Sequence, residues 1–227
     1  MSSPAPPVPL RIDFVSDVSC PWCAVGLKAL EQAIERVGER IAPELHFQPF
    51  ELNPQMPPEG QDTDEHLVQK YGSTPEQLAQ NREALRERGA AVGFEFRQRD
   101  RVYNTFDAHR LLHWAGLEGA AQELALKHAL LRAYFTDNLD VSSPEVLAQV
   151  AATAGLDDTR ARQVLDRGEY AAEVRAQQDV YLSRGIHAVP SVILNDQHLI
   201  QGGQPVEMFE RALRQVAGLD SGAGPQD

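Results

Sequence analysis

Alternation of apolar and polar residues predicts two strands near the start of the chain. Apolar side chains recur at close to every second position over residues 10–16 and again over 44–50, as in half-buried strands. Between them, residues 20–38 carry apolar positions three and four apart, and the segment ends at Gly38, which indicates a helix. The first part of the chain is therefore predicted to be β-α-β.

The middle of the chain has a different pattern. Residues 62–185 contain no convincing strand and several segments with helical spacing, closed by glycines such as Gly72, Gly116 and Gly155. Strand character returns near the end, and a last helix follows. The pattern predicts three parts and two loose tails: 10–60 (β-α-β), 61–185 (helical), 186–219 (β-β-α), and the tails 1–9 and 220–227.

The two cysteines of the chain, Cys20 and Cys23, stand where the first predicted strand gives way to the helix. A helix N-terminus has unpaired N–H groups and a partial positive charge, so it favours a thiolate over a thiol. Pro21 suits the first helical turn, where its missing N–H has no partner to lose. The arrangement predicts redox chemistry, with Cys20 as the exposed attacking thiol and Cys23 as the resolving thiol.

Two other interpretations of the cysteine pair compete with redox chemistry: a metal site and a pair of inert core cysteines. A structural zinc site needs four ligands, and the sequence has no second cysteine pair. His109 and His113 are four residues apart, but they lie in an amphipathic stretch and are interpreted as surface or half-buried helix residues. We therefore predict no metal site. Free cysteines are often inert core residues, yet their position at a strand-to-helix turn argues against that interpretation.

The charge of the chain limits its partners. It carries 21 basic and 33 acidic residues, a net charge of −12, which argues against nucleic acid or an anionic membrane as the main partner. No apolar run approaches the roughly 18 residues that a membrane span needs, and the first ten residues do not resemble a signal peptide. We expect a cytoplasmic protein, where a cysteine pair is kept mostly reduced and is more often catalytic than structural.

A proline marks the return of strand character. Pro190 follows Val189 and opens an apolar, β-branched run, and since proline has no N–H it must lie at the start or edge of a strand. An interrupted β-α-β and β-β-α order, with a cysteine pair at the first strand-to-helix turn, is the layout of a thioredoxin domain.

The chain resembles the DsbA-like thioredoxin family, and within it the FrnE branch, which is related to 2-hydroxychromene-2-carboxylate isomerase and kappa-class glutathione S-transferase. The resemblance covers residues 10–216 and rests on five segments: Asp17–Cys23, Phe50–Pro54, Asn104–Arg110, Gly185–Ser191 and Gly202-Gly203. It implies a thioredoxin-like α/β fold interrupted by a large all-helical insertion that roofs the active-site groove. It also implies a cis bond before Pro190, which leaves the backbone of Val189 free to pair with substrate.

Departures from the family pattern refine the expected chemistry. Trp22 stands where periplasmic DsbA enzymes have a histidine that stabilises the thiolate, so we expect a milder oxidant. The isomerase and kappa-class relatives have serine at the position of Cys20, whereas this chain keeps both cysteines. Pro21 and Trp22 are expected to tune the redox potential. Asp17 is either a proton-transfer group for the resolving thiol or a turn residue.

These observations favour a thiol-disulfide oxidoreductase or isomerase acting on protein or small-molecule thiols and disulfides, with no bound cofactor. One alternative is a glutathione-dependent isomerase or transferase, in which Asn53 and Asn104 would face a small-molecule pocket and glutathione would be the co-substrate. Another is a non-enzymatic redox-sensing module. The sequence leaves open whether the protein is a monomer or a homodimer.

Overall fold

A computed structural model describes residues 6–219, so most of the two predicted loose tails lies outside the described residues. The strands are β1 (Val8–Ser16), β2 (Ile41–Pro49), β3 (Gln61–Asp62), β4 (Arg101–Val102), β5 (Ser191–Leu194) and β6 (His198–Gln201). The helices are α1 (Pro21–Val37), α2 (Thr63–Tyr71), α3 (Pro75–Ala91), α4 (Phe106–Glu118), α5 (Ala120–Phe135), α6 (Pro144–Thr153), α7 (Asp158–Asp166), α8 (Ala171–Ser183) and α9 (Val206–Val216).

The main sheet joins the two ends of the chain. Its strand order is β2-β1-β5-β6. Central β1 pairs in parallel with β2 and antiparallel with β5, and β5 pairs antiparallel with β6. Phe14 lies opposite Phe47 on one side and Val192 on the other. The sheet thus unites the predicted β-α-β and β-β-α parts, which are far apart in sequence.

The sheet core holds the cysteine turn in place. Leu10, Ile12 and Phe14 of β1 are fully buried, and the rings of Phe14 and Phe47 meet edge to face at 5.9 Å. Helix α1 packs against α9, which contributes the buried stripe Val206, Phe209 and Leu213. Because β1 and α1 are both anchored, the short loop between them has little freedom.

The middle of the chain is mainly helical but not entirely so. Helices α4, α5 and α8 pack against β2, and α2 and α3 lie in the same predicted block. The expectation of an all-helical block is wrong in one detail, since β3 and β4 form a small antiparallel ladder. Two residues a strand are too few to leave an alternating pattern in the sequence. The domain boundaries themselves stay a prediction.

Some predicted element ends are also corrected. Strand β1 begins at Val8, inside the predicted loose tail. Helix α4 runs on past Gly116 and ends at Glu118, with Gly119 at its C-cap. Gly116 serves packing instead of termination, because a Cβ there would lie 3.2 Å from Cδ of Glu123. Among residues 6–219, no helix is long and apolar enough to cross a membrane.

Candidate active site

The loop after β1 places Cys20 at the N-cap of α1. Cys20 has extended backbone angles and Pro21 occupies the first helical turn, as predicted. The N–H of Cys20 donates to the carbonyl of Asp17 at 3.2 Å, and the N–H of Cys23 donates to the carbonyl of Cys20 at 3.1 Å. These bonds form a tight turn that presents Cys20 at the positive end of the helix.

The expectation that Cys20 is exposed is wrong. Its exposed fraction is only 3%, Cys23 is fully buried, and both are free thiols. The surface position belongs to Trp22, which is 39% exposed. The Cys20 thiol points at the carbonyl oxygen of Val189, 3.6 Å away, and lines a large cavity. Neighbouring segments therefore cover Cys20, and the cavity gives access to it.

The segment before β5 closes over the cysteine turn. The Val189–Pro190 peptide bond is cis, as the family resemblance implied. Pro190 is buried, and its ring lies so close to Gly26 of α1 that a Cβ there would be 3.2 Å from Cγ of Pro190. A Cβ on Gly203 would lie 2.9 Å from the carbonyl oxygen of Trp22. The two glycines thus allow these segments to pack directly against the start of α1.

Burial controls the ionisation of Cys23, the predicted resolving cysteine. Burial raises the pKa of Cys23 well above its ordinary value, and the neighbouring Cys20 raises it further. The positive charge of Lys127 acts in the opposite direction. Lys127, on α5, is itself fully buried. Its Nζ has no hydrogen-bond partner among the described residues and lies 5.6 Å from the centre of the Phe47 ring.

Asp17 lies beneath the turn and is tightly hydrogen-bonded. Its carboxylate accepts from the N–H and hydroxyl of Ser19 at 3.1 and 2.9 Å, and from the N–H of Leu52 at 2.7 Å. Nε2 of His109 lies 3.6 Å from Oδ1 of Asp17. Burial alone would raise the pKa of Asp17, but His109 and the N–H donors lower it to about 2. These contacts are those of a turn residue that joins three segments.

A second, smaller cavity lies next to Lys127. It has a volume of about 170 Å³, and Lys127, His109 and Glu123 are among its lining residues. Burial raises the pKa of Glu123 to about 7, although Lys127 and a backbone N–H lower it in part. The burial of Lys127 also lowers the pKa of its amine. Three buried ionisable side chains, Lys127, His109 and Glu123, thus line a cavity separate from the large one.

Sequence reasoning missed this buried group. The sequence predicts His109 to be a surface or half-buried residue, but it is buried on α4. Glu123 and Lys127 are four apart on α5, a spacing that more often indicates an exposed ion pair. The only available signal was that Lys127 directly follows Leu126 and precedes the apolar Leu130 on a helix face. That signal does not distinguish a buried lysine from one at the edge of the face.

The large cavity, about 760 Å³, opens onto Cys20. Five of the residues singled out in the sequence line it: Cys20, Pro21, Trp22, Asn53 and Val189. Lys70 on α2 donates to Oδ1 of Asn53 at 2.7 Å and so fixes that side chain. The expectation for Asn104 is wrong, because Asn104 is absent from the lining. Its Oδ1 accepts from the N–H of Phe106 at 2.9 Å, where α4 begins.

The predicted insertion contributes to the cavity, as the resemblance implied. Residues of α2, α3 and the segment from Phe96 to Arg99, all within that insertion, line the cavity together with the cysteine turn. Among residues 6–219, no group of three or more His, Cys, Asp or Glu side chains is placed to hold a metal ion. The arrangement is a cysteine turn that lines a large cavity together with parts of the predicted insertion.

Comparison with known proteins places this arrangement in a family. A model of the DSBA-like thioredoxin domain matches residues 11–214. The chain belongs to the DsbA-like thioredoxin family. The fold predicted from the sequence is therefore confirmed, including its link to the DsbA-like proteins.

Solved structures of other proteins share the fold. The probable DsbA oxidoreductase of Streptomyces coelicolor is 35% identical, with a TM-score of 0.85 over 96% of this chain and 93% of that one. A 2-hydroxychromene-2-carboxylate isomerase is 14% identical, with a TM-score of 0.70 over 95% and 100%. The cytosolic disulfide reductase DsbM of Pseudomonas aeruginosa, solved with GSH, is 17% identical, with a TM-score of 0.63 over 92% and 100%. At these identities the last two show the fold alone.

Proposed function

We propose that this protein is a thiol-disulfide oxidoreductase whose redox centre is the Cys20–Cys23 pair. The observation that carries the proposal is the position of the two thiols. Cys20 lies at the N-cap of α1 and lines the large cavity, while Cys23 is buried one turn behind it. A reactive thiol reached from a cavity and a second thiol reached only through the first suit two consecutive exchange steps.

The proposed reaction begins with the Cys20 thiolate. It attacks one sulfur of a substrate disulfide and forms a mixed disulfide, and the other substrate sulfur leaves as a thiolate that takes a proton from water. Cys23 then loses its proton and attacks Sγ of Cys20. The 20–23 disulfide forms, the second substrate sulfur leaves as a thiolate, and the substrate has gained the two electrons that the protein has lost. The reverse sequence oxidises a dithiol.

Three residues would shape the substrate end of this reaction. The exposed indole of Trp22 offers an apolar contact beside the reactive sulfur. The carbonyl of Val189 already faces the Cys20 thiol, and its backbone would pair with an extended substrate. Pro21 would fix the first helical turn. Because Trp22 stands where the periplasmic enzymes have a cationic histidine, we propose that this protein is a milder oxidant than they are. Its assignment to the FrnE branch of the family stays our prediction.

A glutathione-dependent reaction is the second candidate. The observation that favours it is the covered cavity of about 760 Å³, a volume typical of sites for small molecules. The shared fold with an isomerase and with a disulfide reductase solved with GSH is consistent with it. In this scheme Asn53, held by Lys70, would contact the ligand.

The cellular setting is part of the proposal. We place the protein in the cytoplasm, where thiols are kept reduced and the pair would act mainly as a reductant or isomerase. Its partners would be thiols and disulfides of proteins or small molecules, with no bound cofactor. The assembly would be a monomer or a homodimer.

Trapping the mixed disulfide tests the proposal. A Cys23→Ser variant should accumulate a covalent Cys20 adduct with a disulfide substrate such as glutathione disulfide, detected by intact-protein mass spectrometry and lost on reduction. A Cys20→Ser variant is the matched control and should form no adduct, because Cys23 is fully buried and, unlike Cys20, does not line the large cavity. Adducts on Cys23 in that control, or none on Cys20, would contradict the assigned order of attack.

A further inference from the structure

Basic side chains line the large cavity of a protein that is negatively charged as a whole. Four arginines and one histidine line it, and none of its lining residues among residues 6–219 is an aspartate or glutamate. The whole chain has a net charge of −12. A cation without a partner in a low-dielectric cavity attracts a ligand of the opposite sign. Whether the lining favours an anionic ligand therefore depends on which of its arginines are already paired.

Among the residues that the structure describes, Arg99 is the one arginine of these four without a carboxylate partner. Arg82 pairs with Asp64. Arg86 and Arg97 pair likewise with acidic neighbours close to them in sequence. Among residues 6–219, no carboxylate lies within ion-pair distance of Arg99. Its Nη1 is buried and has no hydrogen-bond partner among those residues. A buried donor without a partner is costly and is rare in folded proteins.

The guanidinium of Arg99 lies against two aromatic rings. Its central carbon lies 4.8 Å from the centre of the Tyr134 ring and 5.2 Å from that of Phe135. Contact with aromatic rings restrains a guanidinium without using its N–H groups, so Nη1 of Arg99 keeps its capacity to donate. A planar edge with two N–H groups matches a carboxylate in a bidentate contact.

The same cavity contains the thiol proposed to react. Cys20, Trp22 and Val189 line it together with Arg99. A volume of about 760 Å³ accommodates a ligand of a few hundred daltons. A ligand in this cavity would have its sulfur near Cys20 and an acidic group near Arg99.

We propose that Arg99 binds a substrate carboxylate, and that the substrate is a low-molecular-weight disulfide bearing carboxylates. The inference rests on the proposed function and names its substrate class. The reaction is the thiol-disulfide exchange of the proposed function. The Cys20–Cys23 dithiol is oxidised to a disulfide, and the small disulfide is cleaved to two thiols with its two electrons. Arg99 takes no part in bond making and acts through the position it gives the substrate.

Binding without exchange tests the carboxylate contact by itself. S-methylglutathione, whose sulfur cannot exchange, is titrated calorimetrically into a Cys20→Ser, Cys23→Ser double variant. Adding Arg99→Gln should weaken binding about 10- to 100-fold, as expected for the loss of a charged hydrogen-bond pair. Arg99→Lys, which keeps the charge but not the planar edge, should be intermediate. The diethyl ester of the ligand should bind weakly to every variant.

The matched control removes a charge outside the cavity. Arg88 is exposed on α3 and does not line the cavity, so Arg88→Gln should bind S-methylglutathione as the parent does. Thermal unfolding of each variant shows whether Arg99→Gln is folded. If Arg99→Gln is unfolded, the comparison of acid with ester in the Arg99→Lys variant replaces it. Equal losses for Arg88→Gln and Arg99→Gln, or equal binding of acid and ester, would overturn the inference.

The rate of a single exchange separates this inference from the proposed function. In the pre-reduced, otherwise wild-type protein, Arg99→Gln should lower the second-order rate constant for oxidation of the Cys20–Cys23 dithiol by glutathione disulfide about 10- to 100-fold and leave the rate constant for the neutral hydroxyethyl disulfide unchanged. Equal effects on both disulfides would overturn the role of Arg99 and leave the oxidoreductase standing. Absence of oxidation by either disulfide, despite binding that depends on Arg99, would overturn the proposed function and leave the carboxylate site standing.

Discussion

Replacing Glu123 by glutamine is predicted to make the protein relatively more stable as the pH rises. Glu123 lies on α5, buried beside the smaller cavity, and burial raises its pKa from 4.5 to about 7. Glutamine has nearly the same shape and can accept the same backbone N–H, but it does not ionise. The substitution therefore isolates the cost of ionising this side chain in the folded protein.

The sign and size of the effect follow from the shift. Below pH 4.5, Glu123 is protonated in the folded and unfolded states, so its ionisation contributes nothing. Between pH 4.5 and 7 it ionises only when the protein unfolds, and wild-type stability falls. The rise of the pKa from 4.5 to about 7 corresponds to a loss of about 3 kcal/mol in the wild-type free energy of unfolding. This loss is complete above pH 7.

The assay is urea denaturation from pH 4 to 8.5. The free energy of unfolding of Glu123→Gln, minus that of wild type, should rise by about 3 kcal/mol across this range. Glu87→Gln, which removes an exposed carboxylate on α3, controls for the loss of one charge. A difference that is flat with pH, or that falls as the pH rises, would refute the argument that Glu123 is held in its protonated form.

Three further substitutions test the residues around the cysteine turn. Asp17→Asn should cost about 2 kcal/mol at pH 7, because the pKa of Asp17 is lowered from 3.8 to about 2. This loss should shrink in urea titrations as the pH falls from 4 to 2, and a constant loss would refute its electrostatic origin. Lys127→Met removes a positive charge that lowers the pKa of Cys23. In stopped-flow traces at pH 7, only the second exchange step, the attack of Cys23 on Cys20, should therefore slow. Equal slowing of both exchange steps would argue against this role of Lys127. Gly203→Ala should destabilise the protein by about 1–3 kcal/mol, since the new Cβ would lie 2.9 Å from the Trp22 carbonyl oxygen; an unchanged melting temperature would show that the contact is loose.

Much of the fold could be predicted because local patterns matched the final structure. The alternation over 10–16 and the proline at 190 predicted strands that do form one sheet. The predictions failed where a residue's role depends on distant neighbours. Gly116 resembles a helix stop in the sequence, but in the structure it makes room for the Glu123 side chain. The β3–β4 ladder depends on pairing across about 40 residues, which no local pattern records.

The candidate site was predictable only in its local part. Cys20, Pro21 and Cys23 lie within four consecutive residues. Their position at the start of a helix could therefore be predicted from local helix-capping signals alone. The burial of Cys20 could not, since its cover comes from Val189 and the insertion. Lys127 and Arg99 are remote in sequence from the cysteines, and only the fold brings them to the two cavities. Their roles follow from unpaired buried donors, which a sequence does not reveal.

The redox equilibrium of the Cys20–Cys23 pair tests the central claim most directly. The wild-type protein is equilibrated in a graded series of reduced and oxidised glutathione, quenched with acid, and its thiols are counted by mass spectrometry alongside tryptophan fluorescence. We predict one two-electron transition in which both thiols disappear together. The ratio of oxidised to reduced protein should change tenfold for about every 30 mV. Its midpoint would give the direction in which the protein works. Thiols that stay reduced across the whole series, while glutathione binds without exchange, would contradict the claim.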